Sequence, residues 1–165
     1  MENYQEQYKQ ELHQQEINSN LRTLKGFLWI FVTILILWLL TLVGIFIVDA
    51  GIFTMAVGMS VVIGIPVLYI YKKVDLSRDW VKYVLLALIC AISAVMAAFL
   101  SFHAVLIYVL PLLSAVQYRE RMTLWVTYAV NDVTMTLSML AGFYHGICDL
   151  NLLLGSNHTL SLIHI

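Results

Sequence analysis

The chain has 165 residues, enough for one domain or one membrane bundle, with 61% apolar and 12% charged side chains and a formal net charge of −1. A soluble globular domain carries about twice that charge, so a water-facing surface could hardly be built from side chains with a mean hydropathy of +0.86. The near-neutral balance argues against nucleic acid as a partner, and two cysteines, Cys90 and Cys148, are too few for a disulfide framework.

Met1–Lys25 is a Gln/Glu-rich polar leader. Its polar start and the long apolar run behind it lack the cleavage-like pattern of a signal peptide. Leu12, Ile17, Leu21 and Leu24 fall roughly on one side of a helix, which suits a solvated helix leading into a membrane or a coiled contact in a homodimer. Gly26–Val48 is an uninterrupted apolar run of 23 residues, about 34 Å as a helix and enough to cross a bilayer core. Further runs follow at 51–71, 80–100, 103–118 and 122–143, with Pro66 in the second and Pro111 in the fourth. The fourth is the shortest, so a re-entrant or tilted element is the alternative there. Residues 144–165 form a tail.

The positive charges fix the orientation. Lys9, Arg22 and Lys25 lie in the leader; Lys72, Lys73, Arg78 and Lys82 lie around the second loop; Arg119 and Arg121 lie in the fourth. The first loop, the third loop and the tail have none. Basic and non-basic segments therefore alternate, as expected of an all-α integral membrane bundle of about five transmembrane helices with a cytoplasmic N-terminus. Trp29, Tyr71, Trp80, Tyr83, Tyr118, Trp125 and Tyr144 fall near the boundaries, where amphipathic rings prefer to sit.

Close packing of small residues has to supply much of the helix association in lipid. Ala87, Ala91, Ala94 and Ala98, at four-three-four spacing, and Gly58, Ser60 and Gly64 are the expected helix contact faces.

Asp132 is the sharpest anomaly, near the middle of the fifth helix beside Asn131 and one turn after Tyr128. An ionised carboxylate at that depth is costly, so the residue is expected to face the bundle interior. There it would serve as a proton or ligand site, or as a neutral group hydrogen-bonded to Tyr128, Thr134, Thr136, Ser114 or Tyr108 that fixes helix register. A second group, Asp49, His103, His145, Cys148 and Asp149, is expected at the outer rim. Its His and Cys are metal-ligand types, but a polar rim is the simpler reading, and no metal or cofactor is expected. There is no phosphate-binding glycine loop, no His-Glu-x-x-His and no nucleophile triad, so the chain itself is not expected to be catalytic.

The segments His103-Ala-Val-Leu-Ile-Tyr-Val-Leu-Pro-Leu-Leu and Gly142-Phe-Tyr-His-Gly-Ile-Cys-Asp-Leu-Asn-Leu-Leu-Leu resemble the N-terminal membrane regions of bacterial signalling proteins. The likeness is especially to clostridial diguanylate cyclases of the GGDEF type and their HD-phosphohydrolase and sensor-kinase relatives. The resemblance covers about half the chain and implies a sensor and anchor region in the bacterial plasma membrane, preceding a cytoplasmic output domain. No output motif is present, so no catalytic residue carries over. Five crossings would leave the tail outside, and Ser161-Leu-Ile-His-Ile looks like translated adaptor read-through, so a truncated reading frame is expected. The alternative function is a small transporter or channel subunit using Asp132.

Overall fold

The computed structural model describes residues 2–45, 50–100 and 106–144. These residues form five α-helices and no strand: α1 Glu2–Leu42, α2 Ala50–Lys73, α3 Asp79–Leu100, α4 Val109–Val116 and α5 Arg121–Tyr144. Asp49, His103, His145, Cys148, Asp149 and the tail lie outside the described residues.

The leader and the first apolar run are one rod. α1 runs unbroken for 41 residues, about 62 Å. It stops at Leu42, short of the expected end at Val48. The stop has a local cause: Gly44 adopts φ 79°, a left-handed conformation that costs glycine little. Its N–H donates to the Thr41 carbonyl at 3.0 Å and the Ile45 N–H to the Leu40 carbonyl at 3.0 Å, the paired bonds that close a helix on a left-handed residue.

α4 is also shorter than expected. Its eight residues reach about 12 Å, too little to cross a bilayer core of about 30 Å. Residues 106–108 precede it as a 3-10 turn. Pro111 falls in the first helical turn, where a backbone N–H has no helical acceptor, so its missing donor costs no bond. Pro66 lies inside α2 on an exposed position, where it deprives the Val62 carbonyl of its helical donor.

α3 is the central helix. It packs most extensively on α5, then on α2, α4 and α1. Val81, Leu85, Ile89, Ile92 and Met96 meet Phe53, Val67 and Ile70 of α2 and Phe27 and Ile34 of α1. On a second side Leu86 meets Ala115 and Tyr118. α3 presents large side chains to both clusters, and its small Cys90 and Ser93 are buried as well. Of the alanines expected at a contact face, Ala87 is exposed, and Ala91, Ala94 and Ala98 are half-buried. In α2 the expected face is divided. Ser60 is buried, Gly58 faces open space, and a Cβ on Gly64 would stand 2.6 Å from the Phe31 ring. At Gly64 the missing side chain makes room for the Phe31 ring of α1 against the α2 backbone.

The outer surface is apolar. Leu28, Leu35, Leu39, Met55, Val62 and Leu68 are among many large apolar side chains left exposed, far more than a water-facing monomer displays. The threonine hydroxyls among them are spent on their own helices. Thr33 donates to the Trp29 carbonyl, Thr54 to Ala50 and Thr136 to Asp132, at 2.9, 2.6 and 2.9 Å, which leaves little polar capacity facing outward. Trp38 spends its indole N–H on Thr54 Oγ1 at 3.0 Å, tying α1 to α2. α1, α2 and α3 are long and apolar enough to cross a membrane. α5 has 24 residues, about 36 Å, but Asn131, Asp132 and its threonines dilute its apolar character.

Candidate functional site

The three basic segments of the sequence meet at one end of the bundle. The α1 leader, the α2–α3 loop and the α4–α5 turn join there through a polar junction. Ser19, Asn20 and Thr23, on successive positions of one α1 face, are all buried. Asn20 Nδ2 donates to the Leu76 carbonyl at 2.8 Å, and Ser19 Oγ to the Gln117 carbonyl at 3.3 Å. Tyr118, expected near a helix boundary, is buried beneath the leader. Its hydroxyl lies 2.8 Å from Asn20 Oδ1 and 3.0 Å from Thr23 Oγ1 and shares its single proton between them. Thr23 donates onward to the Ser19 carbonyl at 3.0 Å. Burial pushes the Tyr118 hydroxyl up to about 12, so it stays a donor.

An ionic triad closes the outer side of the junction. Lys82 Nζ sits 2.8 Å from Glu120 Oε2 and 3.0 Å from Glu16 Oε1. The contact to Glu16 is an ion pair poorly directed for a hydrogen bond. Lys82 is 8% exposed, and an ammonium is tolerated at that burial because two carboxylates compensate its lost hydration. Glu120 also accepts from Thr123 Oγ1 at 2.6 Å and immediately precedes α5, where negative charge complements the helix dipole. The hydrogen bonds from Lys82 and Thr123 hold its carboxyl below the usual glutamate value. Arg119 makes the turn possible by adopting φ 53°.

A smaller polar node lies further along the bundle. Asn131 is buried and donates through Nδ2 to the Tyr108 carbonyl at 3.1 Å. The Tyr108 hydroxyl pairs with Ser138 Oγ. These contacts set α4 antiparallel to α5, with Tyr118 at the junction and Tyr108 beside the middle of α5. Asn131 Oδ1 is buried without a donor among the described residues.

The expected Tyr128–Asn131–Asp132 site is not assembled. Asn131 points inward, whereas Asp132 and Tyr128 are exposed on the outer face of α5. Their spacing explains the split: Tyr128 and Asp132, four apart, share a face, while Asn131 lies about 100° away from Asp132. Tyr128 packs edge-on against Trp125 at 6.1 Å. The Thr134 and Thr136 hydroxyls go to backbone carbonyls and that of Tyr108 to Ser138. The Asp132 carboxylate has no hydrogen-bond or ion-pair partner among the described residues. The rim group of His103, His145, Cys148 and Asp149 lies outside them.

Sequence reasoning missed the junction. Glu16, Lys82 and Glu120 are ordinary charges on three separate segments, and no local pattern links them. One signal was present: Ser19, Asn20 and Thr23 interrupt the apolar side of the leader next to Leu24, where a lipid-facing or coiled helix would carry hydrocarbon. Comparison of the chain with protein-family models, with curated proteins and with solved structures finds no match.

Proposed function

We propose that this chain is the membrane-embedded sensor and anchor region of a bacterial signal-transduction protein, with its basic end in the cytoplasm. The apolar exterior and internally spent hydroxyls support insertion. Exposed Trp29, Tyr71, Trp80 and Trp125, all near the basic end, suit an interfacial aromatic belt. In this reading α1, α2, α3 and α5 span the bilayer. The segment holding α4 returns the chain to the cytoplasmic side, with α4 itself occupying the inner half.

The observation that carries the signalling role is the junction. One rigid helix, α1, is locked to both cytoplasmic loops by side chains from three segments, so a shift of α3 or α5 at the far end must move the leader. Such helix shifts are an ordinary means of transmission through membranes. The resemblance to diguanylate-cyclase membrane regions supports an output domain of that type in the intact protein, and association as homodimers would suit it.

Two measurements test the reading. With native Cys removed, an impermeant thiol reagent should label Asn151→Cys and spare Ser77→Cys on intact cells; labelling at position 77 overturns the topology. Expression of the intact locus should raise cyclic diguanylate, and Lys82→Met should change that output at unchanged membrane levels. A reading frame that stops after Ile165, with no change in the nucleotide, would remove the cyclase.

A further inference from the structure

A groove of about 370 Å³ runs between the leader and the α4–α5 turn, lined by Arg22, Arg119, Gln14, Asn18 and Gln117, with Glu11 at its outer end. Arg22 and Arg119 form no salt bridge among the described residues, where the ion pairs present are both made by Lys82. The neutral lining is rich in side-chain amides, which can donate. Arg119 is fixed by its left-handed backbone and by its N–H, which donates to the Val116 carbonyl at 3.1 Å. Its guanidinium is therefore presented from a set turn beside a rigid helix. Arg22 lies four residues before Gly26, where the apolar run begins. Exposed Trp29 and Trp125 stand one to two turns further in. The groove thus opens at headgroup level if the chain is inserted as proposed.

We infer that this groove binds a phosphate ester, with Arg22 and Arg119 holding the phosphoryl oxygens. A phosphate presents several strong acceptor oxygens and a negative charge at neutral pH, and guanidinium forks match it in charge and geometry. Neither guanidinium is held in an ion pair among the described residues, although Glu16 and Glu120 line the neighbouring cavity with Arg119. Glu11 lies three helical turns from Arg22, about 16 Å along α1, so it polarises the groove and leaves its membrane-side end cationic. The phosphate can come from an anionic lipid of the inner leaflet or from a soluble phosphate compound. A ligand bridging the leader and the α4–α5 turn would brace the junction. The inference rests on the sensor-and-anchor reading for its placement at the membrane surface.

The test uses the full chain purified in detergent and exchanged into bilayer discs. One set contains phosphatidylcholine alone, the other phosphatidylcholine with phosphatidylglycerol. Flotation of the chain with vesicles first establishes insertion; a chain that does not float sinks the membrane reading. For an inserted chain, native mass spectrometry should find phosphatidylglycerol retained by the wild type. The R22Q/R119N pair should bind it about thirtyfold more weakly, as expected for two interfacial cations. Asn is chosen at position 119 because it tolerates a left-handed backbone. K72Q/K73Q removes the same charge from exposed positions at the end of α2 and should leave retention unchanged. A rise in thermal midpoint with millimolar inorganic phosphate in phosphatidylcholine discs, lost in R22Q/R119N, assigns the site to a soluble phosphate and supports the shared chemistry. Equal retention by wild type and R22Q/R119N, or loss of the same size in K72Q/K73Q, overturns the inference while leaving insertion intact.

Discussion

Lys82 and Asp132 are both ionisable groups on helices of an apolar bundle, and the fold treats them in opposite ways. Lys82 is buried near the start of α3, with Glu120 at 2.8 Å and Glu16 at 3.0 Å. Asp132 stands eleven residues into α5, about 16 Å along it, on the outer face and without a partner among the described residues. The difference lies in what each helix faces. α3 begins where three polar segments converge and can supply counter-charges. Beside Asp132 the outer face of α5 carries exposed Val133 and Leu137, which offer a carboxylate neither donor nor counter-charge. Burial of charge here follows the supply of partners rather than depth in the sequence.

Removing the centre of the triad should break this contrast most severely. Lys82→Ala leaves Glu16 and Glu120 facing each other without a cation. Breaking a fully buried pair costs about 3–5 kcal/mol. The Glu120 side chain is 43% exposed, so water relieves part of the loss, and about 2 kcal/mol is expected. Thermal unfolding followed by circular dichroism, together with faster proteolysis of the leader, would register it. An unchanged leader would mean that the triad does not hold it.

Next in size is the α1–α2 approach. Gly64→Val places a branched side chain where even a Cβ meets the Phe31 ring at 2.6 Å, and overpacking of this kind costs about 1–3 kcal/mol. Phe31→Ala should relieve the clash in the double variant. If the double variant is as unstable as the sum of the singles, the two residues do not oppose each other.

The helices were legible in the sequence because lipid-length apolar runs interrupted by charge leave little choice of element. Their ends were less so. Gly44 stops α1 through a left-handed bond pattern, and only the backbone reveals that the helix ends at Leu42, six residues before the apolar run does. The alanine spacing in α3 suggested one packing face, whereas a helix enclosed on two sides also buries Cys90 and Ser93, which that spacing does not mark. The gathering of basic segments at one end followed from their alternation. The junction did not, since its bonds join residues separated by up to 98 positions.

Tyr118→Phe tests the neutral half of the junction. It removes the shared proton and leaves buried Asn20 Oδ1 without its donor, a loss of about 1–2 kcal/mol. Asn20→Ala alone should cost a similar amount, and the double variant less than the sum, since the two side chains share one bond. Strict additivity would separate them. The ionic half adds a pH dependence. The Glu120 carboxyl is held below its ordinary value of 4.5 in the folded chain, so its contribution is complete above that value and is lost as pH falls through the depressed one. Glu120→Gln should flatten the acid side of the stability profile; a profile identical to wild type would show that Lys82 draws nothing from Glu120.

Asp132 should give the smallest effect on bundle stability, and that smallness is what makes it informative. Had the carboxylate been hydrogen-bonded inside the bundle, its removal would leave a buried donor unmatched and cost about 1–3 kcal/mol. On the outer face, with the Thr136 hydroxyl committed to the Asp132 backbone carbonyl, the carboxylate gives up no partner when replaced. Asp132→Asn and Asp132→Leu should therefore both lie within about 0.5 kcal/mol of the parent when a monomeric detergent-solubilised chain is unfolded. In a bilayer the two should diverge. Leu removes a side chain that costs about 2.5–3.5 kcal/mol at the centre of a spanning helix, so Asp132→Leu should insert more completely in a membrane-integration assay, and Asp132→Asn by a lesser amount. A loss of more than about 2 kcal/mol in detergent would place a partner on this face. A bilayer-only loss, with unchanged detergent stability, would locate that partner on a second copy of the chain.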